Sequence, residues 1–139
     1  MSASTPNQTA AKSASDWILM VDDEAPIRTV MGSFLADVGA EFVGAESGEA
    51  ALQLLASRSS EPLVVFIDVL MPGMDGLTLA RKLRSRLKSS VLVIISGHMT
   101  DLSWWPVDLR EVLFVAKPFR LAEIMSIVTA ARAGSRRER

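Results

Sequence analysis

Five short apolar runs punctuate the chain: Trp17–Val21 (WILMV), about Ala40–Ala45, Leu63–Ile67 (LVVFI), Val91–Ile95 (VLVII) and about Val112–Val115. Runs this short and this uniformly apolar read as strands buried on both faces, and the stretches between them repeat their apolar residues at helical spacing. After Pro26, which suits a first helical turn, Ile27, Val30, Met31, Phe34, Leu35 and Val38 form one stripe, and Gly39 closes the helix. Ser47 is placed to cap a second helix through Ala51, Leu52, Leu54 and Leu55. The turn Met71–Gly76 precedes a third stripe of Leu79, Leu83 and Leu87, and Leu121, Ile124, Met125 and Val128 form the last. Between the fourth and fifth strands, Pro106 sits inside SWWPVDLREV, where a helix would lose a hydrogen bond and meet a ring clash, so a short or displaced helix is expected there.

Strand and helix alternating in this way predict an α/β fold. It is a doubly wound, flavodoxin-like parallel sheet of five strands in the order 2-1-3-4-5, with helices on both faces. A length of 139 residues and an apolar content of 49% suit one domain around one sheet. Residues 1–15, rich in Ser, Thr, Ala, Asn and Gln, read as a disordered tail, residues 16–133 as the domain, and residues 134–139 (GSRRER) as a basic, solvated tail. The apolar runs are too short to span a bilayer and the N-terminus lacks a signal-peptide core, so a cytoplasmic protein without a membrane partner is expected. Acidic residues number 16 against 15 basic, which gives no reason to expect direct binding to nucleic acid. With no cysteine, disulfides, thiolate zinc sites and thiol catalysis are excluded.

The chemistry lies where the apolar runs stop. The first ends in Asp22, Asp23 and Glu24, the third in Asp68, the fourth in Ser96, and the fifth, after Ala116, in Lys117. In an open parallel sheet the ligand crevice forms at the carboxyl ends of strands beside the switch point, so the predicted fold gathers these residues. Carboxylates within about 4 Å repel by roughly 4 kcal/mol per pair at an effective dielectric near 20, and a cation relieves the repulsion. Oxygen donors without cysteine favour a hard ion, Mg²⁺ best of all. A carboxylate beside such an ion can attack phosphorus while Lys117 neutralises charge on the equatorial oxygens, which gives an aspartyl phosphate. Singly, each residue has a plainer reading: helix caps for Asp22 to Glu24, a turn former for Asp68, a loop hydroxyl for Ser96, a surface cation for Lys117. Their joint position at successive strand ends sets them apart.

The segments VDDE, IDVLMPGMDG, VIISGH and FVAKPF, in that order, resemble the signature of response-regulator receiver domains of two-component signalling. The resemblance covers about residues 16–133 and implies a signalling module rather than an enzyme. It implies that Asp68 accepts a phosphoryl group from the phosphohistidine of a histidine kinase or phosphotransfer protein. It further implies that Asp23 binds Mg²⁺ directly, Asp22 binds it through water, and the backbone carbonyl of Val69 completes the protein ligands. Lys117 would pair with the phosphate and Asp68, Ser96 would bond a phosphate oxygen, and Phe114 would move with Ser96 as the switch aromatic. The Lys117–Pro118 bond is often cis in this family. Leu70 and His98 occupy the rate-modulating positions two beyond the acceptor and two beyond the hydroxyl.

A downstream protein or a second copy of the chain is the output partner so implied. Trp104 and Trp105 are adjacent, so a regular element cannot easily bury both, and one is expected to serve as a partner anchor. Other readings fit less well. A haloacid-type phosphatase needs a second acid where Leu70 stands, and a dinucleotide site needs a glycine-rich turn where Asp22-Asp23-Glu24 stands. A non-phosphorylated interaction module of the same fold, or a piece of a hybrid kinase or DNA-binding regulator, stays open.

Overall fold

The computed structural model describes residues 16–97 and 105–137, with side chains as far as residue 134. Its sheet has five parallel strands in the order β2-β1-β3-β4-β5. These are β1 (Trp17–Val21), β2 (Glu41–Ala45), β3 (Val64–Asp68), β4 (Val91–Ser96) and β5 (Leu113–Ala116). The α-helices are α1 (Ala25–Phe34), α2 (Gly48–Ala56), α3 (Gly76–Arg86) and α4 (Leu121–Arg137). Side chains of successive strand residues point to opposite faces, and the core divides accordingly. Leu19, Val21, Val65, Ile67 and Ile94 meet Ala51 of α2 and Leu79, Ala80 and Leu83 of α3 on one face. Ile18, Met20, Val64, Phe66, Val93 and Ile95 meet Met31 of α1 and Ile124, Val128 and Ala131 of α4 on the other. Each buried Val, Leu, Ile, Met or Phe side chain stabilises the fold by about 1.5–3 kcal/mol relative to an exposed one.

Ser47 caps α2 as expected, its Oγ accepting the Ala50 N–H at 3.0 Å. The first helix ends earlier than its apolar stripe suggests. Beyond Phe34 the Ala36 and Val38 amides bond to Ser33 and Leu35, three residues back rather than four, and the chain then turns at Gly39 with φ +87°. Where a fourth helix was doubtful, the described residues after Pro106 form a 3₁₀ turn, Val107–Leu109. Residues 98–104 lie outside the description, and with them most of that expectation. Strand β5 starts one residue late because the Val112 amide is spent closing that turn onto Leu109.

Candidate functional site

Parallel register brings the strand ends to one rim. Val21 pairs with Ile67, Asp68 with Ile95, and Ser96 with Ala116. The residues that follow β1 and β5 therefore flank Asp68 and Ser96. Carboxylate oxygens of Asp22, Asp23 and Asp68 lie within 4.8 Å of one another. Asp22 is 0% exposed and Asp68 5%, Ser96 is buried, and Asp23 faces solvent. Lys117 Nζ bridges the two buried acids, donating to Asp22 Oδ2 and Asp68 Oδ1 at 3.1 Å each. Its backbone N–H donates to the Ser96 carbonyl at 3.0 Å, and the Lys117–Pro118 bond is cis.

Burial pushes the Asp68 carboxyl above its ordinary range, and the charges of Asp22 and Asp23 add to this; Lys117 opposes the rise without cancelling it. Burial alone would lower the Lys117 ammonium, but its hydrogen bonds to Asp22 and Asp68 outweigh that and raise it, so it stays charged. The site thus holds more negative charge than its one lysine balances. Three carboxylates within one ion's reach offer the all-oxygen donor set that suits a hard divalent cation.

The plainer reading of Asp22 is also partly right, since its Oδ1 accepts the Glu24 N–H at 2.9 Å at the start of α1. Gly76 could be no other residue, because a Cβ there would overlap the Asp68 carbonyl oxygen. The Gly76 N–H donates to the Val69 carbonyl at 2.9 Å, which occupies one lone pair of the oxygen that the family resemblance makes a metal ligand. Leu70 is 59% exposed. Phe114 is half-buried and meets Trp105 edge to face at 5.9 Å. Trp105 is itself half-buried and donates Nε1–H to the Leu109 carbonyl at 2.9 Å, so its ring is held by the chain rather than freely offered. His98 and Trp104 lie outside the described residues.

The response regulator receiver domain family model matches residues 18–129. The chain belongs to this family. The receiver domain is 33% identical over 116 residues to the DNA-binding transcriptional regulator NtrC of Escherichia coli, covering 82% of this chain but 24% of NtrC. It is 29% identical to the transcriptional regulatory protein PdtaR of Mycobacterium tuberculosis, covering 82% of this chain and 55% of PdtaR. It therefore spans about a quarter to a half of these relatives. Among solved structures, response regulator TrrA of Thermotoga maritima, in complex with Mg²⁺-BeF, superposes with a TM-score of 0.72 at 28% identity, covering 84% of this chain and 98% of that one. The receiver domain of NtrX from Brucella abortus gives 0.70 at 30% identity, covering 82% and 96%. The receiver is thus a module of two-component response regulators, and among its described residues no helix is long and apolar enough to cross a membrane.

Sequence reasoning missed Arg28, whose Nη1 donates to the Asp22 carbonyl at 2.7 Å, and Gly44, across which it lies. A glycine inside a strand was the available signal, since it often marks the close approach of another group.

Proposed function

We propose that Asp68 is the phosphoacceptor of a phosphorelay, with Mg²⁺ as cofactor and a histidine kinase or histidine phosphotransfer protein as donor. The observation that carries this reading is the Lys117 ammonium bridging buried Asp22 and Asp68 beside exposed Asp23. An Asp68 carboxylate oxygen attacks phosphorus and the P–N bond to the donor imidazole breaks. The electron pair returns to the imidazole nitrogen, which is left neutral or takes a proton. Lys117 releases part of its hold on Asp68 and meets the incoming phosphoryl oxygens, and Ser96 donates its hydroxyl to one of them. Bound Mg²⁺ supplies further neutralisation of that charge and aligns the acceptor.

Asp23 and Asp68 are the direct carboxylate ligands in this reading. Asp22, both of whose oxygens are engaged by Lys117 and the Glu24 amide, acts through water. For the backbone ligand the Val69 carbonyl keeps one lone pair, but the Leu70 carbonyl accepts no hydrogen bond among the described residues and is the freer donor. Phosphate then draws Ser96 inward, and Phe114 with Trp105 follows, changing a surface read by a downstream protein or a second copy. Leu70 and His98 tune the rates. Residues 16–133 form the working unit in this reading, and the setting is the cytoplasm, where ATP-charged donors are made. With acids directly after β1 and Leu70 in place of a second acid, neither a dinucleotide nor a haloacid-type site is favoured. Incubation with acetyl phosphate and Mg²⁺ tests the reading: wild type gains one phosphoryl mass and Asp68→Asn gains none, whereas equal gain by both would overturn it.

A further inference from the structure

Asp22 is fixed at every polar atom it has. Its N–H donates to the Ala45 carbonyl at 3.0 Å, Oδ1 accepts from the Glu24 amide at 2.9 Å, Oδ2 from Lys117 at 3.1 Å, and its carbonyl from Arg28 Nη1 at 2.7 Å. Asp23, the next residue, faces solvent, and among the described residues no hydrogen bond holds its carboxylate. A peptide unit is planar, so pinning the Asp22 carbonyl oxygen also fixes the Cα from which the Asp23 side chain springs. We infer that Arg28 is a positioning residue for the cation site, acting through the Asp22–Asp23 peptide plane, and that position 44 is glycine to let Arg28 cross the edge strand. The inference rests on the Mg²⁺ reading above.

The path of Arg28 supports this. It starts on α1, passes over β2 beside an open cleft of ≈ 300 Å³ lined by Ala45, Glu46, Ala50 and Leu54, and returns to the end of β1. A Cβ at Gly44 would stand 3.0 Å from Arg28 Cδ and 3.4 Å from Nε, too close unless the side chain gives way. The guanidinium reaches none of the three carboxylates; its bond is to backbone. Its effect is therefore on where Asp23 sits rather than on the charge of any ligand. Outer-shell partners of this kind typically change metal affinity by about tenfold or more.

Calorimetric titration with MgCl₂ of wild type, Arg28→Ala, Arg28→Lys, Gly44→Ala and the Arg28→Ala/Gly44→Ala double variant tests the inference. Metal-free melting curves and the Mg²⁺ dependence of phosphorylation by acetyl phosphate run alongside. Arg28→Ala should weaken Mg²⁺ binding about tenfold, and Arg28→Lys, which keeps one donor, should recover part of it. At saturating Mg²⁺ the phosphorylation rate of Arg28→Ala should return close to that of wild type. Gly44→Ala should weaken binding in the wild-type background and do nothing further when Arg28 is already alanine. That non-additivity separates positioning from general destabilisation, and Gly44→Ala with Arg28→Lys decides the matter should Arg28→Ala fold poorly. Unchanged affinity in Arg28→Ala, or an equal effect of Gly44→Ala in both backgrounds, overturns the inference while leaving the Mg²⁺ reading intact. A wild type that takes up no Mg²⁺ overturns both.

Discussion

Two acids in this receiver have opposite electrostatic fates, and each makes a prediction. At the rim, Asp68 is raised by burial and by its acidic neighbours, so part of the folding free energy is spent holding like charges together. Removing one of them with Asp23→Ala should leave the metal-free fold intact or a few degrees more stable. The same change should abolish the Mg²⁺-dependent rise in melting temperature, and an equal rise in mutant and wild type would remove Asp23 from the metal site. At the opposite end of the sheet, Glu61 accepts from the Lys88 and Ser89 amides at 2.9–3.0 Å and from the Ser89 and Ser90 hydroxyls at 3.2 Å. Burial works to raise this carboxyl, but the four donors outweigh it and hold it below its ordinary value. The stabilisation is therefore complete above the free glutamate value of about 4.3 and drains away as pH falls through the lower folded value. Glu61→Gln should cost about 1 kcal/mol at neutral pH, since the carboxylate is only partly buried, and should flatten the acid limb of a stability-against-pH curve.

At the scale of elements, helix α3 holds the glycine on which the acceptor loop closes, and its start is set by Asp75, whose Oδ1 accepts the Thr78 N–H at 2.8 Å. Asp75→Ala should cost about 1 kcal/mol by chemical denaturation and leave Mg²⁺ binding unchanged. Strands and caps of this sort were legible because each depends on neighbours in sequence: an uninterrupted apolar run, a serine before a helical stripe, a proline that forbids one. The order of the sheet was legible too, since alternating strands and helices point to a doubly wound parallel sheet, and that fold gathers the carboxylates, the hydroxyl and the lysine at one rim. The last turns of α1 were not, because Leu35 and Val38 continue the apolar stripe while the backbone tightens beneath them. Arg28 over Gly44, Glu61 on the Lys88–Ser90 loop and the engaged Val69 carbonyl were also hidden. The first two join elements distant in the chain, with Gly44 as the one local trace of the first, and the third depends on how the loop between β3 and α3 folds back.

Across the whole molecule, both faces of the sheet are packed, and change at the rim has to travel through a few side chains that can move without opening a core. Phe114 and Trp105, edge to face and half-buried between β5 and the 3₁₀ turn, are the pair we propose for this role. Phosphate would shift that pair only as far as it binds one arrangement more tightly than the other. Beryllofluoride with Mg²⁺ should change tryptophan emission in wild type, and the change should disappear in Trp105→Phe and shrink in Phe114→Ala; a change that survives in Trp105→Phe would put the responding surface elsewhere. All of this depends on one covalent event at one carboxylate. Its most direct measurement is to phosphorylate the receiver from a phosphohistidine donor with Mg²⁺, reduce with borohydride, and sequence the peptides by mass spectrometry. Conversion of Asp68 to homoserine, dependent on donor and Mg²⁺, is the predicted result; conversion at another residue, or none with a competent donor, would contradict it.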